Sequence, residues 1–138
     1  VSVLSQTCDI LREIENIYIK HGGKQPITTF ETEEDFVYVK INNLPKENIK
    51  KIRRIKKLHF TIDSEEIKLA TIHSFKGWES SSVILILQSE ESINDMYDNI
   101  KSSPELIYTG ITRAKRNLFI LNMGNLKYHD FFSKNITI

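Results

Sequence analysis

The run Val83-Ile84-Leu85-Ile86-Leu87 decides the fold, because five consecutive apolar residues are typical of a strand that is covered on both faces, as in a parallel sheet. Further strands are predicted at residues 67–72 and 118–121. Between the strand at 83–87 and the strand at 118–121, Ser103-Pro104-Glu105 combines a capping serine, a first-turn proline and an acidic first turn, which predicts the start of a helix. Strands that alternate with helices predict an α/β fold with a mainly parallel sheet flanked by helices.

Outward from this centre, apolar periodicity and turn residues predict the remaining elements. Thr7 is placed to cap a helix that Gly22-Gly23 ends, and Pro45 stands where another helix can start. In chain order, the predictions are a strand at 1–5, a helix from Thr7 up to Gly22, short strands at 27–30 and 36–41, a helix at 45–58, a polar stretch of helix and loop at 89–103, and a helix at 126–132.

Composition places the chain among soluble globular proteins. With 138 residues, 40% hydrophobic and 27% charged, it suits one domain spanning residues 1–138. The net charge of +1 gives no overall attraction to nucleic acid or to a membrane. The only cysteine, Cys8, excludes an internal disulfide and fits a reducing, cytoplasmic compartment. No apolar run has the length of a membrane span. Because the chain opens on Val1 rather than on Met, we expect it to be a piece of a larger protein.

The segment Leu106-Ile107-Tyr108-Thr109-Gly110-Ile111-Thr112-Arg113-Ala114-Lys115 carries the first candidate site residue. We expect Arg113 on a helix, where its guanidinium can bind phosphate through two parallel hydrogen bonds. The alternative is a surface arginine at a basic helix end, which the helix dipole favours. Gly110 lowers helix stability by about 1 kcal/mol relative to alanine, so we expect a close neighbour at this position.

A second polar segment, Thr71-Ile72-His73-Ser74-Phe75-Lys76-Gly77-Trp78-Glu79, follows a predicted strand. Ligand sites in α/β folds lie at such strand ends, and hydroxyls, backbone amides and a lysine suit phosphate. Taken singly, His73 is more often structural, Glu79 a solvated charge and Trp78 a packing residue. The histidines and Cys8 show no ligand spacing, so we predict no metal site.

Together these two segments resemble motifs V and VI of the superfamily 1 DNA helicases of the UvrD/Rep/PcrA type, in the same order and with a strand between them. The resemblance covers most of the chain. It implies the C-terminal, RecA-like three-layer domain of an ATP-dependent helicase or translocase, in which ATP and Mg²⁺ bind between this domain and an N-terminal RecA-like domain. It also implies contact with single-stranded DNA.

The same resemblance implies a role for each matching residue. Arg113 would be the catalytic arginine finger. The residues at the nucleotide edge would be Gly77, Glu79 and Lys76. Those facing the nucleic acid would be Thr71, His73 and Ser74.

Several features depart from that pattern. No Gly-x-x-x-x-Gly-Lys-[Ser/Thr] occurs, so we predict that this chain alone does not hydrolyse ATP. Where the family often shows Tyr-Arg-Thr-Asn, the chain has Ser5-Gln6-Thr7-Cys8. The large helical insertion before motif V is absent, and only a basic helix at 46–57 occupies its place. Its seven Lys and Arg either track a phosphate backbone or form a solvated face. The functional alternative is a non-catalytic nucleic-acid-binding or regulatory module.

Overall fold

A computed structural model describes residues 1–93 and 103–135, and it confirms the α/β class. The described part contains a parallel five-stranded sheet with the strand order β2-β3-β1-β4-β5. The strands are β1 (Ser2–Ser5), β2 (Ile27–Thr28), β3 (Lys68–Thr71), β4 (Ser80–Gln88) and β5 (Ala114–Met123). The helices are α1 (Cys8–Lys20), α2 (Glu33–Ile41), α3 (Lys46–Leu58), α4 (Pro104–Ile111) and α5 (Leu126–Asn135), with a short 3-10 turn at Glu90–Ser92.

Two apolar clusters pack against the two faces of the sheet, which gives the three layers expected of a RecA-like domain. Successive side chains of a strand point to opposite faces, so Leu4 belongs to one cluster and Val3 to the other. The same alternation separates Leu85 from Ile86 on β4. The uninterrupted apolar run of β4 is therefore explained by burial on both faces, as the sequence predicted.

The strand predicted at residues 36–41 is wrong, because this segment lies within helix α2. The Thr32 side chain caps the helix by accepting a hydrogen bond from the Asp35 amide at 3.1 Å. The first turn carries acidic residues, which stabilise the helix because they lie at the positive end of its dipole. In α2 only Val39 is fully buried, so the apolar alternation that suggested a strand does not correspond to a buried sheet face.

The basic helix α3 differs from its prediction at Arg53, which points inward. Glu31 is fully buried and lies between two buried arginines: Arg12 at 2.6 Å and Arg53 at 2.7 Å. Of the isoleucine stripe, Ile49 is buried, whereas Ile55 is exposed. The basic surface of α3 is therefore smaller than the sequence suggested, because Arg53 belongs to an internal ion-pair cluster.

The start of α1 is predicted correctly, but the capping role of Thr7 is not. Its hydroxyl bonds to the carboxylate of Asp9 and to the Gln88 side chain rather than to the helix backbone. Gln6 is buried, and its side-chain oxygen accepts a hydrogen bond from the Gln88 amide at 2.7 Å. The residues that replace Tyr-Arg-Thr-Asn thus join the ends of β1 and β4.

Part of the predicted polar stretch at 89–103 falls on residues 94–102, which lie outside the described residues. In the parts of the chain that are described, none of the helices is both long enough and apolar enough to cross a membrane. The prediction of one domain over residues 1–138 stays a prediction.

Candidate nucleotide and nucleic-acid site

The segment from Thr71 to Ser80 connects two edges of the sheet that lie at opposite ends of the strands. One edge is formed by the carboxyl ends, where β3 finishes, and the other by the amino ends, where β4 begins. Thr71 at the end of β3 lies level with Ser5 of β1, which lies level with Ile86 of β4. Ser80, at the other end of the segment, begins β4 and pairs with Ala114 at the start of β5. Since a strand rises about 3.3 Å per residue, these two levels are separated by roughly 20 Å. The candidate residues lie along this segment between the two levels, and Lys76 is one turn from His73, because the Lys76 amide donates to the His73 carbonyl at 3.4 Å.

Arg113 does not lie on a helix, contrary to the prediction. Helix α4 ends at Ile111, and Thr112 is its C-cap. The Arg113 amide still donates to the Gly110 carbonyl at 3.2 Å, which forms a tight turn between the helix and β5. Arg116, three residues further on, is an exposed residue of β5. The helix ends early because the chain joins β4 as a strand immediately after Arg113.

The half-buried Arg113 side chain is held by three hydrogen bonds. Its Nε donates to the Thr109 carbonyl at 3.1 Å, Nη1 to the Trp78 carbonyl at 3.3 Å and Nη2 to the Thr112 hydroxyl at 3.2 Å. The backbone adds a fourth link, since the Ser80 amide donates to the Arg113 carbonyl at 2.9 Å. All these acceptors are uncharged, so they orient the guanidinium without neutralising it.

The neighbouring turn is open to solvent. Gly77 has a φ of +94°, and a Cβ at this position would find no atom within 4 Å. Glycine is needed here for the backbone conformation rather than for space. Lys76 is exposed, and the exposed Glu79 forms an ion pair with Lys115 at 3.9 Å. The structure thus brings Gly77 and Glu79 to the edge that also carries Arg113.

Trp78 fixes this turn to the core. Its ring meets Phe60 edge-on at 5.7 Å, and Phe60 meets Phe75 in the same way at 6.0 Å. Such edge-to-face contacts stabilise by about 0.5–1.5 kcal/mol beyond area burial. The tryptophan therefore has the packing role that the sequence suggested, while its carbonyl holds Arg113.

The opposite edge carries a cluster of hydroxyl groups. The Thr71 hydroxyl donates to the Ser74 hydroxyl at 2.8 Å, and the Ser74 amide donates to the Thr71 hydroxyl at 3.2 Å. Thr29, which sequence reasoning did not identify, lies 2.6 Å from the same Ser74 oxygen. Thr71 is buried and Ser74 half-buried, whereas the His73 side chain is exposed. No sequence signal marks Thr29, because only the pairing of β2 with β3 brings it here.

The close neighbour expected for Gly110 is confirmed. A Cβ at Gly110 would lie 2.9 Å from Leu85 Cδ1 and 3.3 Å from Ile72 Cδ1. Helix α4 therefore packs directly on the strand and on the residue that follows Thr71. This contact links the two edges through the core.

The described residues contain no group of three or more His, Cys, Asp or Glu placed to hold a metal ion. A lysine and an arginine beside a turn that is open to solvent instead suit an anion such as phosphate.

Comparison with known proteins identifies the family of this chain. Residues 30–124 match the family model described as the UvrD-like helicase C-terminal domain. The chain is 42% identical over 64 residues to the ATP-dependent DNA helicase Rep of Buchnera aphidicola subsp. Schizaphis graminum, covering 42% of this chain and 9% of that helicase. It is 39% identical over 61 residues to Rep of Buchnera aphidicola subsp. Acyrthosiphon pisum, covering 40% and 9%. The chain belongs to the UvrD-like helicase C-terminal domain family, of the superfamily 1 UvrD/Rep type.

Proposed function

We propose that this chain is the C-terminal half of an ATP-dependent DNA helicase or translocase motor, with Arg113 as its arginine finger. One observation carries the assignment: the Arg113 guanidinium is fixed by uncharged acceptors at the edge that also carries the Lys76-Gly77 turn. An arginine held in this way keeps its full charge for a phosphate while its position is set in advance. In other nucleoside triphosphatases an arginine finger contributes roughly 10³–10⁵ in rate.

The nucleotide edge would be completed by Gly77, Glu79 and Lys76. The open space around Gly77 allows a phosphate or sugar to approach the backbone closely. Glu79 is held by an exposed ion pair, which is weak and can exchange for a ligand hydroxyl. Lys76 supplies an exposed point charge near the same turn.

The nucleic-acid contacts would come from the opposite edge. His73 is exposed there, and Thr71 and Ser74 shape the loop that carries it. Because the edges lie roughly 20 Å apart along the strands, one segment can contact both a nucleotide and a nucleic-acid backbone.

The partner of this domain would be an N-terminal RecA-like domain of the same parent chain. The phosphate-binding loop motif does not occur in this sequence, so that domain would supply it together with the Mg²⁺ ligands. This chain alone is accordingly expected to be inactive in ATP hydrolysis. A cytoplasmic location is part of the same proposal.

The testing experiment measures ATP hydrolysis by the complete parent protein, with and without single-stranded DNA. We expect DNA-stimulated hydrolysis in the wild type and a loss of roughly 10³–10⁵ in Arg113→Ala. The matched control is Arg116→Ala, which removes an exposed arginine nearby and should retain the wild-type rate.

Normal hydrolysis in Arg113→Ala would refute the finger assignment. If the wild type binds single-stranded DNA but shows no stimulated hydrolysis, the non-catalytic nucleic-acid-binding module becomes the better explanation. Equal losses in Arg113→Ala and Arg116→Ala would indicate a general effect of surface charge rather than a positioned group.

A further inference from the structure

Thr29 lies immediately after β2 and is 2% exposed. Its hydroxyl oxygen is 2.6 Å from that of Ser74, although the two residues are 45 positions apart. This contact joins the end of β2, an outer strand of the sheet, to the loop that follows β3. It makes Thr29 a neighbour of the residues proposed to face the nucleic acid.

The hydrogen-bonding capacity of the Ser74 hydroxyl is completely used by this arrangement. A hydroxyl has one donor and two acceptor positions. The donor is directed to the Thr71 carbonyl at 3.1 Å, and the Thr71 hydroxyl occupies one acceptor position at 2.8 Å. The Thr29 hydroxyl, 2.6 Å away, is the third partner of this oxygen. Without it, one side of the loop's central hydroxyl would lose its partner.

The segment that carries Thr29 is itself held firmly. Phe30, the next residue, is fully buried. Glu31 follows and is fixed between Arg12 and Arg53. Because its neighbours are anchored in the core, the Thr29 hydroxyl is presented to Ser74 at a fixed position.

We propose that Thr29 is a positioning residue for the loop of residues 71–77. By closing the chain of hydroxyls through Ser74 and Thr71, it maintains the loop conformation in which His73 points outward, toward a single-stranded phosphate backbone. This inference rests on the proposed nucleic-acid role of the same edge, and it adds a residue from outside both sequence motifs.

The test compares four variants of the complete protein: Thr29→Val, Thr29→Ser, Ser74→Ala and Thr28→Val. Hydrogen exchange followed by mass spectrometry reports on the backbone at 71–77, and fluorescence titration with labelled oligothymidylate at low salt reports affinity. Thr28→Val is the matched control, since it removes a buried hydroxyl one residue away without touching Ser74.

We expect Thr29→Val and Ser74→Ala to speed exchange at 71–77 and to weaken oligothymidylate binding by about fivefold, the effect of one hydrogen bond. Thr29→Ser, which keeps the hydroxyl, should restore both properties, and Thr28→Val should resemble the wild type. Unchanged exchange at 71–77 in Thr29→Val would overturn the proposal, as would an equal effect of Thr28→Val.

A fifth variant separates this inference from the proposed function. If His73→Ala binds oligothymidylate as tightly as the wild type, the proposed nucleic-acid role of His73 fails. The exchange comparison still decides whether Thr29 positions the loop, because it does not depend on any ligand.

Discussion

The two ends of the segment from Thr71 to Ser80 differ in how their polar groups are hydrogen-bonded. At the Thr71 end, hydroxyls satisfy one another, and the exposed group is the imidazole of His73. At the Ser80 end, the Arg113 guanidinium is oriented by uncharged acceptors and keeps its charge. Hydrogen bonds among the side chains of a loop fix its conformation, whereas a guanidinium that is oriented but has no opposite charge beside it is suited to bind an anion.

The first and largest test of this comparison assigns each end its own activity. Arg113→Ala should lower ATP hydrolysis of the complete protein by roughly 10³–10⁵ and leave nucleotide-free oligothymidylate binding unchanged. His73→Ala should weaken that binding by about fivefold, since it removes one hydrogen-bonding contact. Hydrolysis assays and fluorescence titrations measure the two effects. The comparison breaks if both variants lose both properties equally.

A second test concerns the turn near Arg113. Gly77→Ala should lower the free energy of unfolding by about 1–2 kcal/mol, because a Cβ is unfavourable at a φ of +94°. No neighbouring atom lies within 4 Å, so the loss comes from backbone conformation alone. Urea denaturation measures it. Gly77→Asn should cost less, since asparagine tolerates the left-handed region. Equal costs for the two variants would argue against the backbone explanation.

A third test concerns the contact that joins the two ends. Gly110→Ala should lower the free energy of unfolding by about 1 kcal/mol, because crowding against Leu85 and Ile72 outweighs the gain in helix propensity. Thermal and urea unfolding measure the change. Adding Leu85→Val removes the atom that lies closest. The double variant should therefore lose less than the sum of the single losses. Strict additivity would contradict the proposed contact.

The smallest expected effect concerns the pH dependence of unfolding that arises from Glu15, which belongs to neither end of the segment. Burial raises the pKa of Glu15 above its ordinary value of 4.5, Lys56 opposes this shift and Asp35 adds to it. The folded state then holds the proton more tightly than the unfolded state. The free energy of unfolding contributed by this group should fall as pH rises from about 4.5 through the raised pKa. Glu15→Gln should flatten that slope in urea denaturation across pH. An unchanged slope would exclude Glu15 as its source.

The fold was largely predictable, because the features that define it are local in sequence. The uninterrupted run of β4 and the cap, proline and acidic turn before α4 each specify one element without help from distant residues. Residues 36–41 show the limit of this reasoning. Their alternation suggested a strand, but the cap at Thr32 and the acidic turn after it gave the stronger local signal.

The candidate site was predictable in its members and less so in its arrangement. The motifs placed Gly77 and Arg113 together, and their shared edge follows from the pairing of β4 with β5. The early end of α4 depends on where the chain joins β4 as a strand, a pairing that begins with Ser80 and Ala114, 34 positions apart. Thr29 and the inward turn of Arg53 depend on tertiary contacts that leave no pattern in the sequence.

The buried cluster around Glu31 restricts how this sequence can change over time. Removing that carboxylate leaves two buried guanidinium groups without the acid that lies between them, which is far less favourable than replacing the whole set with apolar residues. Single substitutions at Arg12, Glu31 or Arg53 should therefore be removed by selection. Among relatives, substitutions at these three positions are expected to be correlated.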